Sequence, residues 1–175
     1  MPAVSSARLL VAVLTLSLVS CGVGPGTGSS SGDAADAGPT GDPIVSFGNA
    51  GPSETHVETP DNAPVDVIFG VQGGWHVWGS VRIQNMDPQG MYARYELTAN
   101  NAVAGDSSGR NMPLRQVSPG VYEAVGLTMF LADGVDPRGW ADDTPLHVKA
   151  TFRDRRNKEV VVERDWLATC CETQR

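Results

Sequence analysis

Three separate stretches of the chain, residues 75–83, 91–99 and 146–152, alternate apolar and polar side chains with a period of two. In the last of them Leu146, Val148, Ala150 and Phe152 fall on one side and His147, Lys149 and Thr151 on the other. A period of two is typical of β-strands with one face in a core and the other towards solvent. No stretch shows the longer period of an amphipathic helix, so the pattern predicts an all-β fold.

Frequent turn signals divide these stretches into short strands. Further strands are predicted at residues 65–69, 112–117, 121–131 and 159–166, while the Gly-, Ser- and Asn-rich residues 100–109 predict a loop. Asp154–Asn157 predicts the hairpin between the last two strands. Many short strands separated by turns favour an antiparallel β-sandwich.

The final hairpin, which enters at Phe152 and leaves through Val160-Val161-Val162, resembles the last two strands of immunoglobulin-like and fibronectin type III-like domains. The resemblance covers residues 60–166 and implies a single antiparallel immunoglobulin-like sandwich. The Cys…Trp…Cys spacing of true immunoglobulin domains is not found in the sequence. A jelly roll or a cupredoxin-like sandwich fits the same alternation.

The N-terminal segment has the order of a secretion signal: Arg8, an apolar run from Leu9 to Leu18, and small residues before a cysteine. Leu18-Val19-Ser20-Cys21 resembles the lipobox of bacterial lipoproteins. That resemblance implies a diacylglyceryl thioether on Cys21, cleavage before it, and a membrane anchor of several acyl chains. Gly22, where aspartate favours the inner membrane, implies the outer membrane of a Gram-negative cell. The alternative is an ordinary signal peptide cut near Ser20, with Cys21 left as a free thiol.

Three segments are therefore predicted: a lipoprotein signal peptide over residues 1–20, a tether over residues 21–43 that begins with lipid-modified Cys21, and a β-domain over residues 44–175. The tether consists mostly of Gly, Ser, Pro, Thr, Ala and Asp, a composition that buries too little apolar surface to fold. Removal of the signal segment, with Arg8, leaves 12 basic and 20 acidic residues, a net charge of −8. Such an acidic chain argues against nucleic acid as a partner.

Cys170 and Cys171 are adjacent near the C-terminus. Neighbouring Cα atoms stand about 3.8 Å apart, which is below the usual disulfide span, so a vicinal bridge is possible but strained. Two free thiols, bonds to another chain and contact with a soft metal are the alternatives.

Residues 72–79, Gln-Gly-Gly-Trp-His-Val-Trp-Gly, hold the densest group of unusual side chains. The stretch resembles one in Gram-negative lipoproteins of similar size that have no assigned activity. His76 and Trp78 share a strand face, so they can form an aromatic, hydrogen-bonding patch for a sugar or a peptide, together with Trp75 and Trp140. In the alternative, Trp75 is the core tryptophan of the sandwich and Trp78 packs beneath a loop.

A metal site is a second hypothesis. His56, His76 and His147 would form it if the fold brought them together, and imidazole ligands suit copper or zinc. A strand at residues 54–58 would also place Glu54, His56 and Glu58 on one side. Separate surface histidines are the alternative, because no spacing typical of a metal site is present.

No catalytic motif, phosphate loop or cofactor fingerprint occurs in the sequence. The sequence thus predicts a non-enzymatic, cofactor-free lipoprotein that binds protein or glycan in the cell envelope, with metal binding as the alternative.

Overall fold

The computed structural model of the protein describes residues 38–71 and 73–173. These residues form nine β-strands and one short 3-10 helix, η1 (Pro137–Gly139). The strands are β1 (Ile44–Gly48), β2 (Pro64–Phe69), β3 (Trp75–Gln84), β4 (Tyr92–Ala99), β5 (Ala102–Arg110), β6 (Arg115–Ser118), β7 (Val121–Phe130), β8 (Thr144–Arg153) and β9 (Glu159–Thr173). The described residues contain no α-helix, and the predicted all-β class is confirmed. Cys21, the signal segment and most of the tether lie outside the described residues.

The strands join in one hydrogen-bonded order, β5-β4-β8-β9-β2-β3-β7-β6, with β1 paired to β3. All pairs are antiparallel except β2 with β9, which is parallel. The long strand β9 joins the two halves of this order. Its first ten residues pair with β8, and its end pairs with β2. Nowhere in the described ranges is there a helix long and apolar enough to span a bilayer.

The core lies between these two halves. Phe47 on β1 contacts the rings of Tyr95, Phe152 and Trp166, with centroid distances of 6.3, 5.8 and 5.4 Å. Its partners are on β4, β8 and β9, so side chains from one half pack on those of the other. This packing is consistent with an immunoglobulin-like sandwich. Full burial of a side chain such as Phe152 stabilises the fold by about 1.5–3 kcal/mol.

The predicted strand faces hold for β4 and β8. The residues predicted to share the inner face are buried in both strands. On β4 they are Ala93, Tyr95, Leu97 and Ala99, and on β8 they are Leu146, Val148, Ala150 and Phe152. The alternation was therefore sufficient to orient these two strands.

The prediction of a loop at residues 100–109 is wrong, because most of this segment forms strand β5, which pairs with β4. Asn100 and Asn101 both adopt positive φ, 51° and 60°. Two successive residues in this conformation make the tight turn whose twist matches a β-hairpin, and asparagine tolerates it. Polar residues then continue the strand, and Asp106 receives two hydrogen bonds from Arg94, at 3.2 and 2.7 Å.

Trp166, and not Trp75, is the tryptophan at the centre of the core. It is 0% exposed, and its indole N–H donates to the carbonyl oxygen of Thr59 at 3.4 Å. Trp75 is only partly buried and packs against the edge of the core. Both positions fit strand alternation, but only the strand order decides which one is central.

Candidate functional site

Residues 70–71 and 73–74 lie in the turn between β2 and β3. Gly73 and Gly74 have φ of 79° and 114°, which side chains other than glycine rarely adopt. The amide of Gly70 donates to the carbonyl of Gly74, and the amide of Gly73 donates to the carbonyl of Gly70, both at 3.0 Å. The paired glycines therefore let the backbone adopt the positive φ angles that this turn requires.

His76 and Trp78 lie on the same face of β3, as their spacing predicts. Their ring centroids are 4.4 Å apart in an edge-on arrangement. Phe130 is the residue of β7 paired with His76, and its ring centroid is 6.0 Å from the imidazole. These rings border a cavity of about 220 Å³, the His76 pocket, lined by Gly70, Val71, Gly73, His76, Trp78, Thr128 and Phe130.

The imidazole of His76 is the unusual group in this pocket. The residue is 2% exposed, and neither ring nitrogen has a hydrogen-bond partner among the described residues. Burial lowers the pKa of His76 below its ordinary value, and a contact with the Gly74 backbone that lies outside hydrogen-bond geometry acts in the opposite direction. A neutral imidazole carries one donor and one acceptor, and within the described residues neither is used. Buried polar groups are almost always bonded, so an orphaned pair is informative.

The rim of the pocket exposes apolar side chains. Val71 at the tip of the β2–β3 turn is 79% exposed, and Phe130 is 45% exposed. Trp78 separates the pocket from a second hollow of about 330 Å³ beside residues 49–54, and its carbonyl accepts a hydrogen bond from the Asn49 side chain at 2.8 Å. Trp78 therefore lines both hollows, and the Asn49 side chain is bonded to its backbone.

The other two tryptophans predicted for the ligand site do not line the His76 pocket. Trp75 packs edge-on against Phe69 at 4.9 Å, and the Arg138 guanidinium lies 5.9 Å from the Trp75 ring. Trp140 follows η1, where its amide donates to the Pro137 carbonyl at 2.9 Å, and its ring packs partly against the core. The structure brings together His76 and Trp78 and leaves Trp75 and Trp140 elsewhere.

The three histidines proposed as metal ligands have different surroundings. His56 lies between Ser46 and Ser80, with N–O distances of 2.8 and 2.9 Å, and His147 pairs with Asp165 at 2.8 Å. No strand forms at residues 54–58, where His56 is buried between exposed Glu54 and Glu58. Within the described ranges, no three His, Cys, Asp or Glu side chains are grouped so that they could hold a metal ion.

His56 precedes β2 and belongs to a bonded group with side chains of β1, β3, β6 and β7. We call this group the His56 cluster, and it consists of Ser46, His56, Ser80, Arg82, Arg115 and Glu123. Burial and nearby Arg82 lower the pKa of His56. Glu123 is 3% exposed, and its carboxylate accepts hydrogen bonds from Arg82 at 2.7 Å and Arg115 at 3.2 Å. Burial alone would raise the pKa of Glu123, but these bonds and one from the His56 backbone hold it below its ordinary value.

Cys170 and Cys171 lie near the end of β9 with their sulfur atoms in contact, and the vicinal bridge between them stays a prediction. Val67 of β2 pairs with Cys170 and Ile68 with Glu172, so Cys171 is the extra residue of a β-bulge. A hollow of about 360 Å³ is lined by Phe69, Trp75, Arg138 and Cys171.

Sequence reasoning missed Phe130 and Thr128, the β7 residues that complete the His76 pocket. Both occupy the outward positions of an alternating strand, and that was their only sequence signal. Comparison with known proteins finds no matching protein-family model and no matching curated protein.

Proposed function

We propose that the protein is a lipid-anchored lipoprotein of the outer membrane whose β-domain is a non-catalytic binding module for glycans, with the His76 pocket as its binding site. The anchor rests on the lipobox-like Leu18-Val19-Ser20-Cys21. The binding site rests on one observation: the buried imidazole of His76, whose nitrogens have no hydrogen-bond partner among residues 38–71 and 73–173, lines a cavity bordered by two aromatic rings.

A sugar ring suits this combination of groups. The apolar C–H face of a sugar packs on aromatic side chains, while its hydroxyls both donate and accept hydrogen bonds. Trp78 and Phe130 supply the aromatic surface, and His76 supplies one donor and one acceptor. The cavity of about 220 Å³ is small and concave, whereas a protein partner needs an interface of roughly 800 Å² on each side. These features favour a glycan over a folded protein as the partner.

Glycan-array binding of the purified full chain tests the binding site. Phe130 and Phe69 form a matched pair, since each is the last residue of its strand and they are 45% and 39% exposed. We expect Phe130→Ala and Trp78→Ala each to weaken the best glycan signal by about tenfold, roughly 1.4 kcal/mol. Phe69→Ala should leave it unchanged. Equal binding by all three variants, or no glycan bound by the wild-type protein, would reject the proposal.

Metabolic labelling with radioactive palmitate tests the anchor separately. The wild-type chain should incorporate label and fractionate with the outer membrane, and Cys21→Ser should abolish both. Cys170→Ser, together with Cys171→Ser, is the matched control, because it removes the other cysteines and should leave labelling intact. An unlabelled wild-type chain contradicts the anchor and leaves the glycan experiment unaffected.

A further inference from the structure

A cavity of about 290 Å³ lies between the β4–β5 hairpin and the second half of β7. Its lining includes Ala93, Tyr95, Ser107, Met112, Leu127 and Phe130. Strand β5 is the last strand on its side of the sheet, and β6 pairs with β7 only at residues 121–123. The cavity therefore opens between two strand edges, and we call it the β5–β7 cleft. It shares only Thr128 and Phe130 with the His76 pocket.

Two hydroxyl groups in this cleft lack partners. Tyr95 is 4% exposed, and neither its hydroxyl oxygen nor the Oγ of Ser107 makes a hydrogen bond within the described part of the chain. The two residues are directly paired across β4 and β5, so their side chains project on the same side of the sheet. Leaving a buried hydroxyl without a hydrogen bond has a cost in stability. A ligand oxygen placed between the two groups would recover that cost.

The remaining lining defines the rest of the ligand. The described residues that line the cleft include no Lys, Arg, Asp or Glu, and most of the surface that they present is apolar. A charged ligand would lose its hydration there without gaining a counter-charge. Burial raises the pKa of Tyr95, so its hydroxyl stays protonated and can donate. The volume is close to the lower end of the ~300–1,000 Å³ typical of small-molecule sites.

We propose that the β5–β7 cleft is a second binding site, for a small, uncharged and mainly apolar molecule whose single hydrogen-bonding oxygen is held by the hydroxyls of Tyr95 and Ser107. This site differs in its chemistry from the glycan pocket, because its described lining residues supply hydroxyl groups and apolar side chains in place of the imidazole and indole. The two sites also differ in how they hold a ligand. A ligand of the cleft enters between two strands, whereas a ligand of the His76 pocket packs on aromatic rings.

Phenol and toluene test the polar part of this site, since they have nearly the same shape and differ by a hydroxyl in place of a methyl. Each is titrated into the purified full chain while backbone amide NMR signals are followed. We expect shifts at residues 93, 107–109 and 127–130, with phenol binding about five- to tenfold more tightly than toluene. The double variant Tyr95→Phe with Ser107→Ala should bind both equally.

A blocking variant tests the location independently of that fold-change. Ser108 is exposed at the cleft, and Ser118 on β6 is an exposed serine that does not line it. Ser108→Trp should abolish the phenol shifts, whereas Ser118→Trp and Trp78→Ala should retain them. The proposal fails if phenol shifts persist in Ser108→Trp, if the double variant keeps the preference for phenol, or if neither probe shifts the cleft amides of the wild-type protein.

Discussion

His76 on strand β3 and His56, which packs against that strand, are both buried, but within the described residues only His56 has hydrogen-bonded ring nitrogens. The imidazole of His56 has a serine hydroxyl at each nitrogen, whereas that of His76 has no partner within the described residues. Burial lowers the pKa of both. Two histidines of similar burial can therefore differ in whether the fold uses their nitrogens. The bonded ring of His56 contributes to stability, whereas our proposal assigns ligand binding to the ring of His76.

The largest expected effect lies in the His56 cluster. Glu123→Gln removes the charge that binds Arg82 and Arg115, and we expect it to lower the free energy of unfolding by about 2 kcal/mol, because hydrogen bonds to charged groups contribute about 1.5–3 kcal/mol. Urea denaturation measures the change. The control is Glu96→Gln, a half-exposed carboxylate on β4 near Lys149, expected to change stability by less than about 0.5 kcal/mol. Equal losses would show that the cluster is no more important than a surface pair.

Matched substitutions of the two histidines should have opposite effects on stability and on glycan binding. His56→Leu leaves the hydroxyl of fully buried Ser80 without its partner and should cost about 1–2 kcal/mol of unfolding free energy. His76→Leu removes two unpaired nitrogens from an apolar site, so its stability should be equal to or above that of the wild type. Glycan binding should respond in the reverse order, with the loss confined to His76→Leu. A His76→Leu protein less stable than His56→Leu would contradict our distinction between the two rings.

The pH dependence of stability provides the smallest and most specific test. Each histidine has a folded pKa below its ordinary 6.5, so the unfolded chain binds protons more readily, and the stabilising contribution present above pH 6.5 is lost as pH falls towards the folded pKa. Each ring should add at most about 1.4 kcal/mol per pH unit to that slope. Urea denaturation between pH 8 and pH 5 should show a shallower slope in each His→Leu variant and the shallowest in the double variant. A wild-type slope retained by the double variant would exclude both rings as its source.

The strands that pack one face in the core could be predicted because alternation is a local property. In β4 and β8 the apolar positions identified from the sequence are the buried ones. Strand β5 was missed because its sequence is polar and glycine-rich, and its pairing depends on the turn at Asn100 and Asn101. An edge strand of this kind buries little, so hydrophobic periodicity cannot reveal it.

Only part of the candidate site could be predicted from the sequence. The spacing of His76 and Trp78 put them on one strand face, but the third ring, that of Phe130, is on a strand more than forty residues away. The contact exists because His76 pairs with Phe130 in the β3–β7 register. In the same way, Tyr95 and Ser107 meet only through the β4–β5 pairing. Such registers are set by the whole sheet, and a single sequence without its pairings does not specify them.

The all-β class, the inner faces of β4 and β8, and the shared face of His76 and Trp78 follow from the amino-acid sequence, because each depends on residues that are neighbours along the chain. The folded arrangement is needed to see that Trp166 rather than Trp75 fills the core. It is also needed to see that, among the described residues, His56 has hydrogen-bond partners while His76, Tyr95 and Ser107 do not. The physical reason is that burial and hydrogen-bond satisfaction depend on which distant segments cover a side chain, and long-range strand pairing chooses those segments.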